Sequence, residues 1–354
     1  MSEHRSTVAP QLPAPDAVLV VGFGGPERRE DVLPFLENVL AGKRVPRERM
    51  LQVAEHYYHL GGISPINQQV RDLLALLEPA LRQRRIDLPV YWGNRNWHPL
   101  LPDTYRRMAR ERVRHAVALV LSPYSSYSGC RQYRENLDAA RAAAGPGAPT
   151  CVKARPFFNH PDFIAANVAR VREALGAMPS SGRDGVHVAY TAHSIPRSMA
   201  VGCDYEQQLL ETCRMVSRDL AIDRGRWSLV YQSRSGRPAD PWLEPDILDH
   251  LEACRDRGVE DLIVHPIGFV SDHMEVLFDL DREAGTRALE LGVRMVRSPT
   301  VGTHARFVET LVDLVAEQLE PARAPRAVGA WPARPSRCPD DCCAYAARSP
   351  SSRP

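Results

Sequence analysis

Apolar residues in this chain gather into short, largely unbroken runs rather than strict alternation, at 17–23, 88–93, 116–122, 186–192, 227–234, 261–267 and 293–297. Such runs suit strands buried on both faces, the habit of parallel sheets covered by helices. Between them the apolar spacing shifts to a helical period. Val70, Leu73, Leu74 and Leu77 share one helix face, and Phe307, Leu311, Leu314 and Val315 share another. Strands alternating with helices predict an α/β fold built from β-α units.

The order then repeats. The run 186–192 leads into Ser194-Ile195-Pro196 as 17–23 leads into Gly24-Gly25-Pro26; Trp227–Arg234 parallels Tyr91–Arg95, and Asp261–Ile267 parallels Val117–Pro123. Two similar lobes are therefore expected, at 17–160 and 161–300. A disordered stretch, 1–16, would precede them, a helix within 301–320 would close them, and a Pro- and Arg-rich tail, 321–354, has no apolar periodicity.

Composition adds limits. At 354 residues the chain is long for a single core, while 44% hydrophobic and 25% charged residues are ordinary for a globular protein. A net charge of +2 gives no reason to expect nucleic acid as a partner. No run reaches the ~18 apolar residues of a membrane span and the first fifteen residues lack a signal-peptide core, so a cytoplasmic protein is expected. Eight cysteines are too sparse for a disulfide scaffold, yet three cluster at Cys338, Cys342 and Cys343.

Four places carry candidate chemistry. His193 ends a strand run, where open parallel sheets bind ligands; a satisfied core histidine is the other reading. In Gly61-Gly62-Ile63-Ser64-Pro65, Ser64 is a suitable N-cap and Pro65 a suitable first helical residue. Free backbone N–H groups there would suit a carboxylate, unless this is a plain helix start. The tyrosine-rich loop Pro123–Tyr133 could wall a flat aromatic ligand or bury its rings. Asp272 could cap a helix that stacks Glu275, Asp279 and Glu283 at i, i+4 and i+8. On a solvated surface that acidic row means little. Lining a cavity, it would bind a cation and pass protons, and with an imidazole opposite it would suit Fe(II), Co(II) or Zn(II).

Seven motifs now stand in order across about residues 17–320: Val21-Gly-Phe-Gly-Gly-Pro26, Gly61-Gly-Ile-Ser-Pro65, Gly93-Asn-Arg-Asn-Trp97, Leu121-Ser-Pro-Tyr-Ser-Ser-Tyr-Ser128, Thr191-Ala-His-Ser-Ile-Pro196, Tyr231-Gln-Ser-Arg-Ser-Gly236 and Pro266–Asp281. Together they resemble the ferrochelatases, most closely the coproporphyrin III ferrochelatases of the Gram-positive, actinobacterial type. The resemblance implies two Rossmann-like lobes in the chelatase fold, each a four-stranded parallel sheet flanked by helices, with a porphyrin cleft between them. It implies insertion of Fe(II), as substrate, into coproporphyrin III in haem biosynthesis. His193 and Glu275 match the family's catalytic metal site, and Ser64 and Tyr133 its macrocycle contacts. Asp279 and Glu283 would relay protons or metal, and we expect the imidazole of one lobe to face the carboxylate of the other across the slot.

A subset of the family carries a [2Fe–2S] cluster, and by position Cys151 would join Cys338, Cys342 and Cys343 as its ligands; a disordered tail with spare thiols is the alternative. Two departures stand out: Phe23 replaces a tyrosine of several relatives, and His56 an arginine whose propionate contact could pass to Lys43 or Arg44. The competing functions are insertion of iron into protoporphyrin IX, a cobalt or nickel chelatase of the same fold, and a tetrapyrrole-binding protein without turnover. Porphyrin, Fe(II) and a transfer partner in the haem pathway are the expected partners of a monomer without a transmembrane segment.

Overall fold

The first apolar run becomes β1 (Ala17–Gly22), a strand with every residue buried. In the computed structural model, which describes residues 14–42, 45–179, 185–234 and 240–345, it lies inside a parallel sheet of order β2-β1-β3-β4. The partners are β2 (Val90–Asn94), β3 (His115–Val120) and β4 (Thr150–Lys153), flanked by α1 (Val32–Leu40), α2 (Arg47–His59), α3 (Ile66–Gln83), α4 (Leu101–Arg110) and α5 (Gln132–Ala144). Residues 1–13 of the stretch expected to be disordered, Lys43 and Arg44, and the end of the Tyr231–Gly236 motif lie outside the described residues.

The second lobe repeats this plan. After α6 (Pro161–Ala177) come β5 (His187–His193), α7 (Arg197–Ala200), α8 (Tyr205–Asp219), β6 (Trp227–Gln232), α9 (Ile247–Asp256) and β7 (Asp261–His265). A π-helix over Val276–Ala284, α10 (Gly285–Glu290), β8 (Arg294–Arg297) and α11 (Ala305–Leu319) complete it. Its parallel sheet has the order β6-β5-β7-β8, so the sequence repeat is a repeat of topology. In each lobe the chain reverses its direction of travel across the sheet between the first and third strands. The strand ends there part to leave the crevice where such sheets bind ligands.

One strand escaped the apolar pattern. Thr150–Lys153 is a four-residue edge strand of half-buried residues, too short to stand out. Between the lobes the core is continuous: Val18 and Leu119 of the first and Tyr190 and Ile263 of the second belong to one cluster, bridged by Phe163 and Val171 of α6 and Phe307 and Leu311 of α11. Although last in the chain, α11 packs on α3, β3 and α6. Its four periodic residues are fully buried, each contributing about 1.5–3 kcal/mol. The described tail has neither helix nor strand, but it is anchored. Asn159 donates to the Trp331 carbonyl at 2.8 Å, and Ala330 N–H donates to Glu211 at 2.7 Å. Among the described residues no helix is long and apolar enough to cross a membrane.

Candidate metal and porphyrin site

His193 is the last residue of β5, and β5 pairs with β7, the strand that leads to Glu275. The turn between the third strand and the π-helix therefore brings Glu275 to the same crevice, its Oε2 3.7 Å from His193 Nε2. His273, two residues before Glu275, places its Nε2 3.8 Å from the same oxygen. Both gaps exceed a hydrogen bond, yet one cation with bonds of ~2.0–2.2 Å could span His193 and Glu275. The pair stays open to solvent, His193 at 32% and Glu275 at 47% side-chain exposure.

Hydrogen-bond partners fix different tautomers for the two imidazoles. His193 Nδ1 meets the Ser194 carbonyl at 2.5 Å. A carbonyl only accepts, so Nδ1 carries the proton and the neutral ring leaves a lone pair on Nε2. His273 Nδ1 instead accepts from the Val276 N–H at 3.2 Å, so its Nε2 is N–H and points a donor at Glu275. Burial lowers the His273 pKa, which keeps that ring neutral.

Three expectations change here. His193 and Glu275 do not come from opposite lobes, because both leave neighbouring strands of the second sheet. The first lobe supplies the facing wall: His56 stacks on Phe278, and Tyr57 is held well above its ordinary pKa by burial and then by the Glu275 charge. Asp272 is not the cap of the acidic helix, since its carboxylate pairs with Arg297 at 3.2 Å and His273 caps in its place. That helix is also not α-helical but a nine-residue π-helix, a rare form associated with functional sites.

The carboxylate row nevertheless remains electrostatically connected. Half-buried Asp279 is pushed up to about 7, by burial first and then by Glu275, against a hydrogen bond from the Ser233 hydroxyl. Glu283 is raised by partial burial and by Asp246. A carboxyl that titrates near neutral pH can both take and release a proton. Gln232 donates to the Glu275 carbonyl at 3.2 Å and steadies the start of the row.

The expected anion cradle at Gly61-Gly62 has another purpose. Gly61 N–H donates to Tyr58 O and Gly62 N–H to Tyr57 O, with φ of +83° and +78°. This is the Schellman closure of α2, so those N–H groups are already used. Ser64 N–H is likewise spent on Pro26 O, and α3 begins at Ile66 with no side-chain cap. Ser64 is buried against Gly25, where a Cβ would come within 2.9 Å of its hydroxyl. Tyr133 is buried in α5 beneath the Arg95 guanidinium, 5.0 Å from its ring centre, and Arg95 also covers Phe23 at 5.6 Å. Within the tyrosine loop, Tyr124 is core and donates across the lobes to Ile267 O at 3.0 Å.

Cys151, Cys338, Cys342 and Cys343 line a separate cavity of about 410 Å³ together with Cys130. All five are free thiols. Cys343 has a φ of +54°, and this turn brings its Sγ within 3.7 Å of Cys342 Sγ. Arg131 holds the tail here, donating to the Cys342 carbonyl at 3.2 Å, while Tyr105 donates to Cys151 Sγ at 3.1 Å.

The two four-stranded parallel lobes place a nitrogen and an oxygen donor side by side at a strand-end crevice. The fold is shared with solved structures of SirB from Bacillus subtilis with Fe3+ (TM-score 0.54, 12% identity, 86% of this chain and 95% of that one). It is shared also with the sirohydrochlorin chelatase SirB from Bacillus subtilis subspecies spizizenii in complex with cobalt (TM-score 0.51, 13% identity, 86% and 96%). At such identities the likeness is one of fold. The ferrochelatase family model matches residues 15–319. The chain is 52% identical to a ferrochelatase of Rhodopirellula baltica, over 96% of each chain. It is 46% identical to a coproporphyrin III ferrochelatase of Nocardia farcinica (96% of this chain, 98% of the other) and 47% to one of Streptomyces coelicolor (95% of each). This chain belongs to the ferrochelatase family, enzymes of haem synthesis that insert a metal into a porphyrin.

Proposed function

We propose that the substrate is coproporphyrin III, that Fe(II) is inserted to give coprohaem, and that His193 and Glu275 carry the reaction. The observation supporting the site is the His193 Nε2 lone pair 3.7 Å from a carboxylate oxygen at the crevice. The choice of porphyrin is supported by the relatives of Nocardia farcinica and Streptomyces coelicolor, whose names specify coproporphyrin III.

Metallation removes two pyrrole N–H protons and strips water from the incoming Fe(II). A ring held out of plane presents its nitrogen lone pairs, so a cleft that favours the bent ring lowers the barrier. His193 Nε2 accepts a pyrrole proton, and the carboxylate of Glu275 stabilises the imidazolium and binds Fe(II) as it sheds water. The His273 N–H lies beside that carboxylate, 3.8 Å from it, and adds a favourable dipole there. Protons then pass along Asp279, which titrates near 7, to Glu283 and solvent. Ser64 and Tyr133 meet the macrocycle through their small exposed edges, and Phe23 offers the iron no donor atom.

The cysteine cavity fits the [2Fe–2S] cluster of the family resemblance. A binuclear cluster holds two pairs of thiolates apart, so it needs a lined cavity rather than one tight knot of sulfurs. Cys342 and Cys343 are close enough to ligate one iron, and Cys151 and Cys338 would complete the set. Burial pushes the Cys151, Cys338 and Cys343 thiols up, while Arg141 beside Cys151 and Lys153 beside Cys338 work against that shift. When bound, such a cluster supplies one-electron redox chemistry.

The deciding experiment is a side-by-side turnover assay, following loss of free-porphyrin fluorescence on adding Fe(II) with substoichiometric protein. Coproporphyrin III should be metallated over many equivalents and at least about tenfold faster than protoporphyrin IX, a difference of ~1.4 kcal/mol in barrier. Preference for protoporphyrin IX would overturn the substrate assignment, and arrest at one equivalent would overturn catalysis.

A further inference from the structure

His187 starts the strand that His193 ends, so the two histidines stand about 20 Å apart at ~3.3 Å per residue. At this remote end His187 meets His250 and Cys254, which lie one turn apart on a single face of α9. One ligand atom from each of the three lies within 4.8 Å of the other two. His250 Nε2 and Cys254 Sγ are 3.3 Å apart, a spacing that two ligands of one tetrahedral ion with bonds of ~2.0–2.3 Å can adopt. All three side chains are buried, at 5%, 4% and 0% exposure.

The groups around the trio tune its ligand atoms. Ser228 Oγ engages His187 Nε2 at 3.1 Å, the kind of outer contact that fixes which ring nitrogen is left for a metal. Arg257 donates to Cys254 Sγ at 3.3 Å and favours the thiolate against the effect of burial. Burial also keeps both imidazoles neutral, with pKa values of about 4, so neither must lose a proton to bind. A second buried trio, His160, Asp162 and Asp313, has similar spacing, but Arg306, Arg323 and Arg326 already occupy its carboxylates. At the His187 trio the cation that reaches a ligand atom is Arg257, on Cys254 Sγ, and its charge disfavours protonation of both imidazoles.

We propose that His187, His250 and Cys254 form a Zn(II) site at the end of the second lobe opposite the cleft, joining β5 to α9. Two imidazoles and one thiolate select a borderline-soft ion over Mg(II) or Ca(II), and the fourth position falls to water.

The test titrates chelator-stripped, full-length protein with Zn(II) against a chromophoric competitor. A variant carrying Cys338→Ser, Cys342→Ser and Cys343→Ser, with His193→Ala to remove the crevice pair, should keep one tight equivalent, with a higher Tm when zinc is bound. Adding Cys254→Ala or His187→Gln to it should abolish both the equivalent and the Tm rise. Zinc binding unchanged by Cys254→Ala, or no equivalent in the tail variant, would overturn the proposal. If those buried substitutions prevent folding, Co(II) loading of the tail variant decides: tetrahedral absorption with a thiolate charge-transfer band supports the site, and a weak octahedral spectrum overturns it.

Discussion

His56 of the first lobe stacks flat on Phe278 of the π-helix, ring centres 3.9 Å apart and planes 7° from parallel. A position where the family's arginine would hold a propionate is thus used to join the two walls of the crevice. Burial and Arg49 hold the His56 pKa below 6.5, so the stacked ring is neutral. A depressed pKa makes this contribution present above the unfolded value and lost as pH falls through the folded one. His56→Ala should lower stability by about 0.5–1.5 kcal/mol at pH 8, read from the urea midpoint, with the deficit shrinking on acidification.

Asp279 shows the opposite linkage. Its folded pKa of about 7 lies above the ordinary 3.8, so between these values the folded state holds a proton that the unfolded chain has released. Stability then falls as pH rises through that window. Metal-free Asp279→Asn should exceed the wild type at pH 8 by roughly 1–2 kcal/mol, allowing for partial solvent screening. Denaturant midpoints should converge below about pH 4. A constant difference across that range would place the perturbation elsewhere.

His193→Ala removes the proposed base and leaves the His56–Phe278 wall of the cleft in place. Metallation should fall by about 10²–10⁴-fold while porphyrin affinity, measured by fluorescence titration, changes only a few-fold. Near-normal iron insertion by this variant would refute the role given to the imidazole.

His273 combines two tasks that substitution can separate. His273→Ala should cost about 1 kcal/mol through loss of the cap, and His273→Asn should recover most of it, because an amide oxygen can take the Val276 N–H. Both variants lose the imidazole N–H beside Glu275. Metallation kcat should therefore fall in both with little change in KM, which a purely structural role would not predict for His273→Asn.

Anaerobic preparation with iron and sulfide should produce thiolate charge-transfer absorption at about 320–550 nm. Cys151→Ser and Cys342→Ser should each remove it. Cys130→Ser should leave it in place, although that thiol lines the same cavity.

The chain's own order of residues was enough for the two-lobed α/β plan, because doubly buried strands must be written as apolar runs and covering helices as periodic ones. It marked His193, Glu275 and the acidic spacing, and the pairing His273-Met274-Glu275 was there to be noticed. Other features depended on long-range packing. Asp272 loses the cap to His273 because Arg297 arrives from β8; Gly61-Gly62, by contrast, is a local helix closure on the Tyr57 and Tyr58 carbonyls. Likewise, β5 and β7 are neighbours only through sheet order, and this adjacency brings imidazole and carboxylate from the same lobe together. Local spacing specifies which face a side chain takes on its own element; which partner it meets depends on how distant elements pack, and the crevice chemistry lies in those meetings.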